Sequence, residues 1–143
     1  MKTHGFTLIE VICVLSLISL LTALSLPAFN SLMGVVELNT TATNIASDLR
    51  AAQIKAMASH FTHEIRFERN GYKILRDNFL EGKLEELKTV NLSRRLSFMT
   101  IQTLKFSAAG FPQPGGFGTI TLKRSGGGSR KIIVSSVGRV RIE

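Results

Sequence analysis

Three groups of residues in this chain have types and spacings suited to chemistry. The first is a lone carboxylate, Glu10, in an apolar run where Val11 to Leu26 carry no charge. A carboxylate at such a position costs about 2.5–3.5 kcal/mol on insertion scales, so it marks a contact with a partner of opposite charge. The competing reading is an interfacial Glu reaching water, although its side chain is shorter than that of Lys or Arg. The second group is His60 and His63, three apart and able to share a helical face. No Cys or clustered carboxylate completes a metal set around them, and surface or capping histidines are the simpler reading. The third is the carboxy-terminal third. It holds Arg94, Arg95, Lys105, Lys123, Arg124, Arg130, Lys131, Arg139 and Arg141 against the single acid Glu143. No Ser/His/Asp or Cys/His arrangement suited to nucleophilic catalysis stands out. Gly115-Gly116-Phe117-Gly118 is too short, and in the wrong strand–helix context, for a phosphate loop. These features point away from an enzyme, with no cofactor, metal or small-molecule substrate implied.

The element that must position Glu10 is the amino-terminal segment. A polar leader ends in Gly5, and Phe6 to Leu26 gives 21 residues of apolar sequence. That is close to the ~20 a helix needs to cross a hydrocarbon core. A secretory signal peptide is the alternative, with an apolar stretch of roughly 7–15 residues and a small-residue cleavage site after it. Here the run is longer, Ser25-Leu26-Pro27-Ala28-Phe29 makes a poor site, and the small residue suited to cleavage, Gly5, precedes the run. Of 143 residues, about 115 remain beyond the membrane segment, enough for one small domain. The one cysteine, Cys13, lies in the apolar run, so no intramolecular disulfide forms.

Beyond the run, Leu38, Ala42, Ile45, Leu49, Ala52 and Ala56 recur at helical spacing. This predicts that the helix continues to about Ser59 with one buried stripe. A helix from Phe6 to Ser59 would be roughly 80 Å long. Pro27, lacking an amide hydrogen, predicts a kink. From His60 the period changes to alternation. Asn70-Gly71 between alternating runs predicts a hairpin over 62–76, because both turn positions favour positive φ. Residues 77–88 read as a loop with a short helical turn, and strands are expected at 89–93, 96–100 and 103–108. A second hairpin is expected to pair Gly118–Arg124 with Lys131–Ser136 across the Ser125–Ser129 loop, followed by a last strand over Arg139–Ile142. The fold class is therefore α+β. A long amino-terminal helix, membrane-spanning in its first half, packs on a small antiparallel β-sheet or sandwich head. The expected parts are a leader (1–5), a membrane or filament-core helix (6–28), its amphipathic continuation (29–59) and a β-rich head (60–143).

Gly5-Phe6-Thr7-Leu8-Ile9-Glu10 resembles the processing motif of type IV pilins and type II secretion pseudopilins. The resemblance implies cleavage after Gly5 by a prepilin peptidase and N-methylation of Phe6. It also implies that Glu10 neutralises the amine of a neighbouring subunit during filament assembly, and that Pro27 marks a bend. The inner membrane, the peptidase and other pilins or pseudopilins are the implied partners. The implied location is a single pass through the bacterial inner membrane with the head in the periplasm or outside, before extraction into a filament. The absence of a second Cys favours a minor pilin or pseudopilin, since many major pilins close a carboxy-terminal loop with a disulfide. The segments 104–110, 118–122, 132–135 and Gly138-Arg139-Val140-Arg141 resemble the GspH/FimT domain of minor pseudopilins and minor pilins.

Two functions stay open at this point. One is a structural minor subunit that helps prime or cap the filament tip. The other is a FimT-like minor pilin that captures double-stranded DNA during transformation, through Arg139, Arg141, Lys123, Arg124, Arg130 and Lys131. The chain's net charge of +8 suits a polyanion. The Gly138–Arg141 run resembles a G-R-x-R element tied to DNA binding in that branch, but it also reads as an amphipathic edge strand whose charges discourage aggregation.

Overall fold

The computed structural model describes Gly5 and residues 7–78, 83–114 and 116–143. Expectations for residues 1–4, Phe6, 79–82 and Gly115 lie outside the described residues. The chain divides into two units, Met1–Val35 and Val36–Glu143. One 52-residue helix, α1 (Leu8–Ser59), contributes to both.

In the first unit the large apolar side chains of α1, from Leu8 to Val35, are exposed. The helix is long and apolar enough to cross a membrane. Its hydroxyls are satisfied within the helix. Ser16, Ser19 and Ser25 donate to the carbonyls of Ile12, Leu15 and Leu21, and Thr22 donates to that of Ser19. Such internal pairing lets polar residues sit where no water is available.

In the second unit, α1 is joined by eight strands. These are β1 (His63–Glu68), β2 (Gly71–Asn78), β3 (Lys83–Asn91), β4 (Leu96–Phe98), β5 (Thr103–Phe106), β6 (Gly118–Arg124), β7 (Ser129–Val134) and β8 (Val140–Ile142). They form two antiparallel sheets, A in the order β3-β2-β1-β5 and B in the order β4-β6-β7-β8. The helical stripe Leu38, Ala42, Ile45, Leu49, Ala52 and Ala56 is buried, together with Ala46. It meets Ile65, Phe67, Leu104 and Phe106 from sheet A, and Leu96, Phe98, Ile120, Leu122, Ile132 and Val134 from sheet B, in one core. The sheets meet through an edge-on pair, Phe67 on Phe98, with ring centres 5.1 Å apart. The helix stops at Ser59 because His60 takes a left-handed conformation, φ 58°.

The polar residues that border the stripe tie the helix to both sheets. Asp48 accepts hydrogen bonds from the Tyr72 hydroxyl (2.5 Å) and from Lys88 Nζ (2.6 Å) on sheet A. On the sheet B side, Asn39 Oδ1 accepts from Arg130 Nε (2.7 Å), and Arg50 Nη2 donates to the Val140 carbonyl (3.1 Å). Burial and the Asp48 carboxylate push the Tyr72 hydroxyl far above the usual phenol range, so it remains a donor.

Two expectations need correction. Most of the segment read as a loop with a helical turn is strand: β2 continues to Asn78, and β3 runs from Lys83 to Asn91. The β3 strand is a sheet edge that leaves residues 83–89 and Asn91 exposed, so neither face carries an apolar period. It is held by its backbone ladder and by cross-strand pairs Lys73–Glu86 (3.3 Å) and Arg76–Glu85. The first hairpin forms, but Glu68 pairs with Gly71, which leaves Arg69 and Asn70 as the turn. Neither has positive φ. Gly71 matters for another reason: a Cβ there would collide with the Val90 carbonyl of β3. Smaller differences are that β4 and β5 end at Phe98 and Phe106, and that β7 begins at Ser129, paired with Lys123.

Candidate functional site

The structure places the candidate residues in three separate settings. The first is the start of α1. Gly5 is exposed, and a Cβ there would meet nothing within 4 Å. Thr7 precedes the first helical residue and caps it: the Glu10 amide donates to the Thr7 carbonyl (3.1 Å) and lies 3.4 Å from Thr7 Oγ1. Thr-x-x-Glu is capping-box spacing, which puts Glu10 at the third helical position. There the partial positive charge of the helix start favours a carboxylate by about 0.3–1 kcal/mol. Thr7 is thus a site residue that hydrophobicity alone misses, although the S/T-x-x-E pattern was its signal. Pro27 lies inside α1, which continues through it.

The second setting is sheet B. Alternation along its strands splits the six candidate DNA-binding residues into two sets. Register places Lys123 diagonal to Lys131, and Lys131 diagonal to Arg141, on the face opposite the buried Leu122, Ile132 and Val140. Diagonal neighbours in a sheet stand about 7–8 Å apart. Arg139 and Arg141 are both exposed, on either side of the buried Val140. Lys123, Lys131, Arg139 and Arg141 have no ion pair among the described residues. Arg124 and Arg130 project instead on the helix side, at the hairpin end. Arg124 Nε donates to the Gly127 carbonyl (2.8 Å), and Arg130 reaches Asn39. The six residues therefore do not form one patch.

Gly138 has a structural reason to be glycine. Its φ is +82°, and a Cβ there would lie 2.5 Å from Gln53 Nε2. Gln53 in turn donates to the Gly110 carbonyl at 2.7 Å. The Gly in the Gly-Arg-Val-Arg run thus packs the β7–β8 turn onto α1, while the arginines face outward.

The third setting lies on sheet A and at the helix end. His60 and His63 do not share a helical face, because α1 ends before both and His63 belongs to β1. His63 is buried, with Nδ1 3.1 Å from the Phe61 carbonyl. Burial pushes its pKa below the usual 6.5, aided by the Arg76 and Lys55 charges and opposed by the bond to Phe61. Among the described residues, no group of three or more His, Cys, Asp or Glu could hold a metal ion. Glu64, only 5% exposed, pairs with Arg66 (2.7 Å) and Lys105 (3.1 Å). Burial alone would raise its pKa; hydrogen bonds and charge from these two cations outweigh that and hold it below the usual range.

Comparisons with known proteins bear on the start of α1 and on the head. The prokaryotic N-terminal methylation motif matches residues 1–26. The minor pseudopilin EpsH from the type 2 secretion system of Vibrio cholerae superposes with a TM-score of 0.62 at 14% identity, covering 75% of this chain and 96% of that one. The type IV minor pilin FimU of Pseudomonas aeruginosa gives a TM-score of 0.61 at 22% identity, covering 75% and 88%. The chain has a type IV pilin-like fold and carries a prepilin-type methylation motif. A second crystal form of FimU matches at a TM-score of 0.58 and 20% identity, covering 74% and 92%. No curated protein matches in sequence. The pilin-like chain therefore combines a helix able to cross a membrane with a head similar in fold to those of a minor pseudopilin and a minor pilin.

Proposed function

We propose that this chain is a minor pilin or pseudopilin subunit of a type II secretion or type IV pilus-type filament that helps prime or cap the filament tip. The observation that carries the reading is the start of α1. A methylation motif covers it, and a capped carboxylate sits at the third position of a helix able to cross a membrane. In this reading a prepilin peptidase cuts after Gly5, where a Cβ would meet nothing within 4 Å. Phe6 becomes the methylated amino terminus. In the membrane Glu10 is stabilised by its own helix start, and in the filament it gains the ammonium of a neighbour, which makes its burial tolerable. Pro27 loosens the helix where subunits pack. The reading assigns no catalysis.

The test is assembly of an E10L variant beside wild type. Both should insert in the membrane and lose the leader, and only wild type should be recovered in sheared filaments or cross-linked to other subunits. Normal incorporation of E10L would show the charge-pairing account to be mistaken.

The outward diagonal of Lys123, Lys131 and Arg141 favours a second reading, a FimT-like subunit that binds duplex DNA. Phosphate contacts by such a row are sequence-independent and weaken steeply with salt. Detergent-solubilised protein should shift DNA in a gel at low salt, and R139Q/R141Q should abolish the shift. Absence of any shift by wild type at low salt sinks this reading and leaves the first intact.

A further inference from the structure

The hairpin end of sheet B adds Arg94 and Arg95 to two members of the outward diagonal, Lys123 and Lys131. The Ser125 amide donates to the Arg95 carbonyl (2.8 Å), which brings Arg94 and Arg95 beside the β6–β7 turn. Lys123 is the last outward residue of β6, and Lys131 lies diagonal to it. The same end rests on the helix at Leu38 and Asn39: a Cβ on Gly128 would lie 3.6 Å from Leu38 Cδ2, and Arg130 bonds Asn39. Nearby acids are Glu37 on the helix and Glu143 after β8, whose backbone pairs with that of Lys131.

The position along the chain fixes what this end can reach. Val11 to Val36 is 26 residues without a charge. As a helix this measures about 39 Å, close to the 40–45 Å of a bilayer with its headgroups. Glu37 is thus the first charge to emerge. Asn39 follows Val36 by three residues, and three residues span at most about 11 Å however the chain is arranged. Asn39, on which the basic end rests, is therefore tethered within about 11 Å of the end of the uncharged run, a distance comparable with the Debye length of about 8 Å at physiological salt. Basic groups so placed are attracted to anionic lipid surfaces and much less to zwitterionic ones.

We propose that the hairpin end of sheet B, through Arg94, Arg95, Lys123 and Lys131, docks on anionic phospholipid headgroups while the subunit waits in the membrane. This rests on the proposed membrane anchoring by α1. The contact would hold the head down until extraction into a filament breaks it.

The test uses full-length protein with C13S and G126C, labelled with a fluorophore at residue 126, where a Cβ meets nothing within 4 Å. Vesicles contain phosphatidylcholine alone or mixed with phosphatidylglycerol, each with a headgroup-attached quencher. Flotation in carbonate reads insertion of α1 separately, so failed anchoring and failed docking are distinguished. The expected result is strong quenching only with phosphatidylglycerol, relieved by high salt. In R94Q/R95Q/K123Q/K131Q, each lost cation should lower the docked-to-free ratio about fivefold at low salt. The salt response of the unsubstituted head stands if that variant fails to fold. Equal quenching in both lipids, or quenching indifferent to salt, overturns the proposal. So does quenching equal in both lipids together with a DNA gel shift that the fourfold variant loses, which would make nucleic acid the occupant.

Discussion

Sheets A and B share one core but manage charge in opposite ways. Residues 60–93, which supply β1 to β3, hold six basic and six acidic side chains. Three of these carboxylates are matched: Glu64 with Arg66 and Lys105, Glu85 with Arg76, and Glu86 with Lys73. Residues 94–143, which supply sheet B and the β5 strand of sheet A, hold nine basic side chains and one acid, a difference equal to the whole net charge of +8. Lys123, Lys131, Arg139 and Arg141 there stand exposed without an ion pair among the described residues. Charge on sheet A is thus largely spent on internal pairs, one of them around a buried carboxylate. On sheet B, Arg124 and Arg130 turn inward, to the Gly127 carbonyl and Asn39, and the other four cations face outward. Local pairing makes sheet A a structural wall; its absence leaves a row of cations facing outward on sheet B.

The most disruptive way to break this contrast is to cut what the sheets share. F67A removes the ring that sits on Phe98 and should cost about 3–5 kcal/mol, in one cooperative urea transition. Two separate transitions would mean that the sheets are independent. Next comes the charge contrast itself. R66A/K105A strips both donors from Glu64 and should cost about 1–3 kcal/mol, whereas K123Q/K131Q should stay within about 0.5 kcal/mol of wild type. Equal losses in the two melts would erase the distinction between structural and functional charge.

A smaller effect should appear in pH titrations of stability. His63 has its folded pKa lowered, so the unfolded chain takes up a proton that the folded chain resists. Stability is then full above 6.5 and falls as pH drops below that value, by at most about 1.4 kcal/mol per pH unit. H63N should flatten this limb. Glu64, also lowered, contributes stability above 4.5 that is lost as pH falls through its folded value, and that second limb should survive in H63N. An unchanged first limb in H63N would assign it to another group.

What could be read from the sequence follows from how strong a period each segment carries. The stripe from Leu38 to Ala56 is buried on one side only, so its spacing marked the helix and its packing face. Strand β6 alternates cleanly around Ile120 and Leu122 and was legible to the residue. Strand β3 was not, because both its faces look outward and its pairing depends on charges across the strand. The candidate site was legible as residue types but not as an arrangement. Nothing in a list of basic residues says that Arg130 turns inward to Asn39 while Lys131 turns outward. The one-residue alternation of a strand decides that, and it needs the register. Gly138 was noted for its place in a motif, yet its role is to admit Gln53.

The central claim is that the first residues are a leader to be removed and that the helix behind them is an assembly element. Its most direct test is the intact mass and amino-terminal sequence of the protein recovered from membranes of cells that contain a prepilin peptidase. The account expects a chain that begins at Phe6, carries one added methyl group and keeps α1. A chain that still begins at Met1, or one cut after the apolar run near Pro27, would contradict it.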